Sequence, residues 1–148
     1  MVQLFNPGVL EDEDIKLQLN QTDLLEKQVP CYFFDIICKK DNQKAGSICL
    51  RTKFTYEEEF LWGNMGFVVE KQYQGKRFAF KASKLLINFA RRCGMKQIYF
   101  TVDPTNIPSI KTITNLGAYY LETIDVPKDS TLYNEEKCQY CSRFCLYI

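Results

Sequence analysis

From Phe78 to Cys93 the chain repeats its apolar residues at helical spacing, and runs of β-forming residues stand on either side. Phe78, Ala82, Leu85, Leu86, Phe89 and Cys93 fall on one face, and Lys81, Lys84, Asn88, Arg91 and Arg92 on the other. Gly94 ends this helix, with Arg91 and Arg92 in the last turn where cations complement the dipole. Residues 62–69 are largely apolar and partly β-branched, which predicts a strand near the sheet centre, apolar on both faces. Residues 97–102 predict another strand, 103–106 a turn, and Pro108 and Ser109 the head of a second helix that Gly117 ends. Residues 118–126 read as a strand, 127–137 as a polar loop and 143–148 as a final strand. Such a β-α-β-α-β succession demands an α/β fold.

Antiparallel material precedes it. Residues 31–38 and 45–50 read as two strands around the turn 41–44, a hairpin. Ile15, Leu17 and Leu19 alternate with polar residues, as a half-buried strand requires. The acidic residues 10–15 read as a solvated loop or helix start, and residues 54–60, with Tyr56 and three glutamates, as a loop. No repeat or linker interrupts the 148 residues, and 46% apolar with 14% aromatic residues suffices for one core. The expectation is a single domain over 1–148 with a mixed sheet.

The chain has no histidine, which excludes a Ser-His-Asp triad, a Cys-His pair, His-ligated zinc and an imidazole base. A formal charge of +1 argues against bulk electrostatic attraction to nucleic acid. The basic helix face reads as solvated, since no aromatic residues interleave with it. No stretch has the apolar length of a membrane span, and the start shows no basic, then apolar, leader. Seven cysteines, an odd number scattered among apolar residues, point to a reducing, cytoplasmic setting. Cys138, Cys141 and Cys145 are too few for a four-ligand zinc site, so no metal is expected. Cys31, Cys38 and Cys49 sit in apolar strand contexts that should raise their pKa, and Cys93 lies at the wrong end of a helix for a thiolate. Cys138, Cys141 and Cys145 follow a polar loop and are the exceptions to examine.

The strand-to-helix junction holds the clearest site signal. A helix starting around Gly75 offers free backbone N–H groups with no acidic side chain to occupy them, and Lys76 and Arg77 add positive charge. On the residues alone this is a pocket for a phosphorylated ligand at residues 74–79.

Residues 66–117 resemble the GNAT superfamily of acyl-CoA-dependent N-acetyltransferases. Gln74-Gly75-Lys76-Arg77-Phe78-Ala79 stands where that family carries its Arg/Gln-x-x-Gly-x-Gly/Ala pyrophosphate loop. Val68 to Tyr73 resembles the strand leading into it. Asn106-x-x-Ser109, followed eleven residues after Asn106 by Gly117 in Leu116-Gly117-Ala118, resembles the family's Asn-containing turn and helix end. Gly63-Asn64-Met65-Gly66-Phe67 and Val126-Pro127 are similar to segments of small bacterial members. The resemblance implies a single GNAT-like domain, its mixed, mostly antiparallel sheet flanked by helices, and monomeric or homodimeric. It implies acetyl-CoA as co-substrate, held by Gln74, Gly75, Lys76, Arg77, Phe78 and Ala79 with Asn106 and Ser109. Backbone groups of Phe67, Val68 and Val69 would pair with the pantetheine arm, with one N–H, taken here as that of Phe67, facing the thioester carbonyl. The implied reaction is direct acetyl transfer to a primary amine, whether of a small molecule, an amino acid derivative or a protein N-terminus.

Two positions depart from the pattern. Arg77 replaces the loop's central glycine, and a helical conformation is expected to accommodate it. Ile113 stands seven residues after Asn106, where many members carry a tyrosine acid, and Thr112 is only a weak substitute. Glu57, Glu58 and Glu59 are carboxylates that could serve as base, and Asn64 a residue that could orient a water or the acceptor. The alternative is a non-catalytic acyl-CoA sensor of the same fold. A nucleotide-binding regulator lacks any P-loop pattern.

Overall fold

The computed structural model describes residues 4–25, 29–53, 61–130, 133 and 139–148. Five strands form an antiparallel sheet in chain order: β1 (Leu10–Glu11), β2 (Ile15–Leu25), β3 (Val29–Cys38), β4 (Gln43–Arg51) and β5 (Met65–Val69). The hairpin expected from the sequence is β3–β4. The acidic segment is a short strand and a turn, in which the Asp12 carboxylate accepts the N–H groups of Asp14 and Ile15. Strand alternation puts Tyr32, Phe34, Ile36, Ile48 and Leu50 on one buried face. Leu19 stands at a β-bulge and is 41% exposed, so only Ile15 and Leu17 of the alternating trio join the core.

Helix α1 (Phe78–Arg92) covers that face with Ala82, Leu86, Phe89 and Ala90, all buried. The Phe89 ring meets Tyr32 edge-on at 5.0 Å and Phe34 at 6.3 Å. Its basic side is partly committed: Lys81 pairs with Asp14 and Glu13, and Arg92 Nη2 donates to the Pro7 carbonyl at 2.6 Å.

A second antiparallel sheet contains β6 (Gln97–Val102), β7 (Tyr119–Asp125) and β8 (Tyr140–Tyr147), with β8 between the other two. Helix α2 (Ile107–Asn115) connects β6 to β7. The last strand starts three residues before the expected Arg143. Polar residues hid this start, because their partners come from other strands. Ser142 exchanges a hydrogen bond with Thr123, and Arg143 pairs with Glu122 at 2.6 Å while lying over the Tyr99 ring. One apolar core unites both sheets and both helices.

The strand expected at residues 62–69 is corrected in extent and place. It begins at Met65, after π-helical backbone at Leu61 and Trp62, and is the last strand of the first sheet. Val68 is 66% exposed. The sheet is interrupted here: β6 belongs to the second sheet and forms no ladder with β5. Among the described residues the two sheets are stitched beside the foot of β5, where the Asn64 N–H donates to the Tyr99 carbonyl at 2.7 Å and the Thr101 hydroxyl to the Leu61 carbonyl at 2.8 Å.

Candidate active site

After β5 the chain makes a one-turn 3₁₀ helix (Lys71–Tyr73), then the loop Gln74-Gly75-Lys76, and enters α1 through Arg77. Gly75 has φ +86° and Arg77 has φ +63°, both left-handed. The helical conformation expected for Arg77 is therefore wrong. The turn needs the basin that glycine favours, and arginine occupies it at a cost of roughly 1–2 kcal/mol. Its guanidinium lies 4.3 Å from the centre of the Phe80 ring, which offsets part of that cost. Arg77→Gly is expected to leave stability within about 0.5 kcal/mol of the parent, since relieved strain opposes lost stacking and added chain entropy. Arg77→Val should cost about 1–2 kcal/mol, because β-branched residues tolerate this basin worst. Equilibrium urea unfolding of both variants checks the account.

Helix α1 begins at Phe78, three residues after the expected start, with no side-chain cap and no acidic residue in its first turn. The first amide in the helical ladder is Lys81, bonded to the Arg77 carbonyl, so the Phe78 and Ala79 N–H groups have no helical partner. The first turn of α2 also lacks an acidic residue. There the Asn106 side chain caps the helix, its Oδ1 accepting the Ser109 N–H at 3.3 Å. Both positive helix ends border one cleft of about 330 Å³.

That cleft collects most residues named from the sequence. Phe67, Val68 and Val69 form its strand wall, Gln74, Gly75 and Arg77 its loop, and Phe78 and Ala79 the start of α1. Asn106 and Ser109 close it from α2, joined by Pro108 and Thr112. Tyr73 also lines it, stacked on Phe78 at 6.1 Å. Its hydroxyl donates to Asp41 at 2.7 Å, which pushes its pKa up to about 12 and ties the loop to the β3–β4 turn. Local residue order carries no sign of that tie, since the partners are 32 residues apart. Lys76 is not among the cleft residues. It lines a separate groove with Lys39 and Lys40, its amine over the Tyr73 ring.

The register of β5 shows which of its backbone groups are open. Arg51 N–H bonds to the Asn64 carbonyl, and Glu70 N–H to the Ala45 carbonyl, so the even-numbered residues between them face β4. Phe67 and Val69 therefore direct their N–H and C=O groups away from β4, towards the cleft. The Val69 carbonyl confirms this by accepting Gln74 Nε2 at 3.1 Å. Val68 is tied to β4 by its backbone and exposes its side chain.

Asn64 does not reach the cleft, which corrects the role expected for it. It is fully buried: Nδ2 donates to the Arg51 carbonyl at 3.1 Å, and Oδ1 accepts the Tyr99 N–H at 2.8 Å. Its amide clamps strands and is closed to water or an acceptor. Ile113 is buried in the core, and the Thr112 hydroxyl donates to the Pro108 carbonyl at 3.1 Å. Glu57, Glu58 and Glu59 lie outside the described residues, as does Cys138.

The opposite face of the first sheet carries a second cleft, of about 530 Å³. Phe33, Asp35, Ser47, Cys49 and Gly66 line it, and Phe67 and Val68 line both clefts. Asp35 is held there by Lys44 at 3.2 Å and Asn20 at 3.1 Å. The raised pKa expected for Cys49 is wrong. A hydrogen bond from Cys31, aided by the Arg51 guanidinium, pulls it down to about 6 despite burial. Burial pushes Cys93 up to about 11. Cys141 and Cys145 are both buried in β8, whose earlier start brings Cys141 into the strand as well. Among the described residues no group of acidic or thiol side chains is arranged to hold a metal ion, and no helix is long and apolar enough to cross a membrane.

A family model described as an acetyltransferase (GNAT) domain matches residues 1–119. No curated protein matches the chain in sequence. The structure of a putative ribosomal-protein-serine acetyltransferase from Vibrio cholerae superposes with a TM-score of 0.70 at 15% identity, over 97% of this chain and all of that one. RimL, a ribosomal L7/L12 alpha-N-protein acetyltransferase solved with coenzyme A, gives 0.73 at 10% identity, over 95% and 98%. The microcin C7 self-immunity acetyltransferase MccE, solved with acetyl-CoA and AMP, gives 0.63 at 15% identity, over 80% of this chain and 61% of its own length. At these identities the structural likeness speaks for the fold alone.

Proposed function

Because the chain belongs to the GNAT acetyltransferase family, we propose that it moves an acetyl group from acetyl-CoA to a primary amine by direct attack within a ternary complex. The observation that carries this reading is the first cleft, where two helix N-termini without acidic residues meet the open edge of β5. The free amides of Phe78 and Ala79 suit a pyrophosphate. Gly75 has open space around it, with nothing within 4 Å of where a Cβ would stand. The edge groups of Phe67 and the Val69 N–H suit an amide-bearing arm, and the Phe67 N–H is the donor we assign to the developing oxyanion.

The amine approaches from the second cleft, since Phe67 and Val68 border both openings. It attacks the thioester carbonyl as the neutral base, and its proton leaves through solvent or a carboxylate. The departing thiolate needs no strong acid, because a thiol of ordinary pKa near ~8.5 is a tolerable leaving group at neutral pH. Relatives named for acetylating ribosomal proteins make a peptide N-terminus the first acceptor to test. One chain contributes both clefts, so a monomer suffices, and a reducing cytoplasm suits the free thiols of the described residues. The sensor reading is favoured by one observation: of the side chains lining the first cleft, Tyr73 is the one acidic hydroxyl, and Asp41 holds its proton.

Acetyl-CoA at 100 times its dissociation constant is expected to stabilise the native state by roughly 2.7 kcal/mol, seen as a rise in Tm. Gly75→Asp should weaken binding about tenfold or more by setting a carboxylate beside the pyrophosphate. Gly75→Asn, which accepts the left-handed backbone without charge, should keep most of the affinity. No shift in Tm at millimolar acetyl-CoA would remove the reading. Binding without release of free thiol across a panel of amines and N-terminal peptides would leave the sensor in its place.

A further inference from the structure

The face of the first sheet opposite α1 carries two thiols that the acetyl-transfer chemistry leaves unused. Cys31 of β3 stands across from Arg51 of β4, and Cys49 of β4 across from Phe33 of β3, so the two cysteines are diagonal neighbours on one face. Cys31 is wholly buried, whereas Cys49 is half-buried and lines the second cleft. The Cys31 thiol donates a hydrogen bond to the Cys49 sulfur, and the Arg51 guanidinium lies beside it. On the far side, the strand partner of Cys49 is Gly66. A Cβ there would stand 3.7 Å from Sγ, so no side chain from that position shields the sulfur. The other charges lining this cleft, Asp35 and Lys44, pair with each other.

We propose that Cys49 is a redox modification site: hydrogen peroxide oxidises its thiolate, and Cys31 resolves the product as an intrachain disulfide. In the first step the Cys49 sulfur attacks one peroxide oxygen, the O–O bond breaks, and the leaving hydroxide takes up a proton as water. Cys49 becomes a sulfenic acid. In the second step the Cys31 sulfur attacks that of Cys49, the S–O bond breaks and a second water leaves. Two thiols have then lost two electrons and two protons to one peroxide.

Each part of the arrangement serves this chemistry. A thiolate is the reactive form, and a nearby guanidinium and a hydrogen-bond donor favour it. Redox-sensitive cysteines combine low pKa, access and a resolving neighbour. Cys49 has all three, and its pKa is held to about 6. Cys93 has a pKa of about 11, and Cys38, Cys141 and Cys145 are buried. Diagonal neighbours on paired strands stand farther apart than directly opposed residues, so forming the bond takes a local shift of the β3 and β4 backbone as well as side-chain rotation.

The test uses the full chain, reduced and desalted, then exposed to a small excess of hydrogen peroxide at neutral pH. The parent should lose the mass of two hydrogens, with the bond mapped by peptide digestion to Cys31 and Cys49 and reversed by dithiothreitol. Cys49 should react about tenfold or more faster than Cys93. Cys31→Ala should halt at the sulfenic acid, captured by dimedone on Cys49, and Cys49→Ser should remove both products. If Cys31→Ala does not fold, Cys31→Val takes its place, and the parent digest alone still decides between cysteines. Preferential oxidation of Cys93, Cys141 or Cys145, or a Cys49 that stays a thiol, would overturn the proposal. Accumulation of sulfinic acid at Cys49 in the parent would remove Cys31 as its partner. None of these readouts depends on acetyl transfer.

Discussion

Replacing Asn64 by alanine is expected to destabilise the fold by about 3 kcal/mol, a large fraction of the stability of a domain this size. The side chain spans the foot of β5: one end donates to the Arg51 carbonyl and the other accepts from Tyr99 N–H. Truncation loses both bonds and leaves two buried backbone groups without partners, each costing about 1–3 kcal/mol. A cavity adds to this. Asn64 is also where the two sheets are stitched, so the variant should unfold with reduced cooperativity. Equilibrium denaturation followed by tyrosine fluorescence and by circular dichroism measures both effects. A variant that keeps its stability but loses acetyl transfer would return Asn64 to the chemistry and sink the structural assignment.

The second large effect is expected at Gly46. It lies on β4 beside the end of β5, and a Cβ there would stand 2.1 Å from the Val68 carbonyl oxygen and 3.0 Å from the Val69 Cα. These are backbone atoms, so neither can rotate away. Either β5 shifts, or the overlap stays as strain of roughly 3 kcal/mol or more. Any shift moves the edge that presents Phe67 and Val69 to the first cleft. Gly46→Ala is therefore expected to lower stability and to weaken acetyl-CoA binding about tenfold or more in the fraction that folds. Calorimetric titration on folded protein separates the losses. Unchanged affinity in a stable variant would mean that the position of β5 does not matter to the site.

What the chain discloses in advance is what neighbouring residues decide among themselves. The α1 stripe, the Gly94 stop, the β3–β4 hairpin and the Asn106 cap rest on contacts within a few positions. The residues forming the loop and both walls of the first cleft were legible for the same reason. Arg77 was misjudged because its left-handed backbone is set by the path from β5 into α1, not by its own preference. The start of β8 was missed because Ser142 and Arg143 are polar, and their partners Thr123 and Glu122 lie 19 and 21 residues away. Cys49 was misjudged for a related reason. Its sequence neighbours are apolar, but its electrostatics come from Cys31 across the sheet and from Arg51 on its own face. Asn64 reads as a polar residue available for chemistry until Tyr99, on another sheet, is seen to hold it.

The placement of β8 between β6 and β7 bears on how the protein assembles during synthesis. β6 and β7 touch the same strand but not each other, so no part of the second sheet exists until residues 140–147 have been made. The first sheet is different, since each strand pairs with the next along the chain and its contacts form progressively. A nascent chain that has completed α1 can hold the first sheet and helix together, while Ile98, Phe100 and Ile113 wait for Phe144 and Leu146 to arrive. Folding is then expected in two stages at a translation rate of about 5–20 residues per second, with the first cleft's α2 wall the last to be fixed. A translation stall before residue 140 would leave an exposed β6 edge, the kind of surface that chaperones hold and that aggregation exploits.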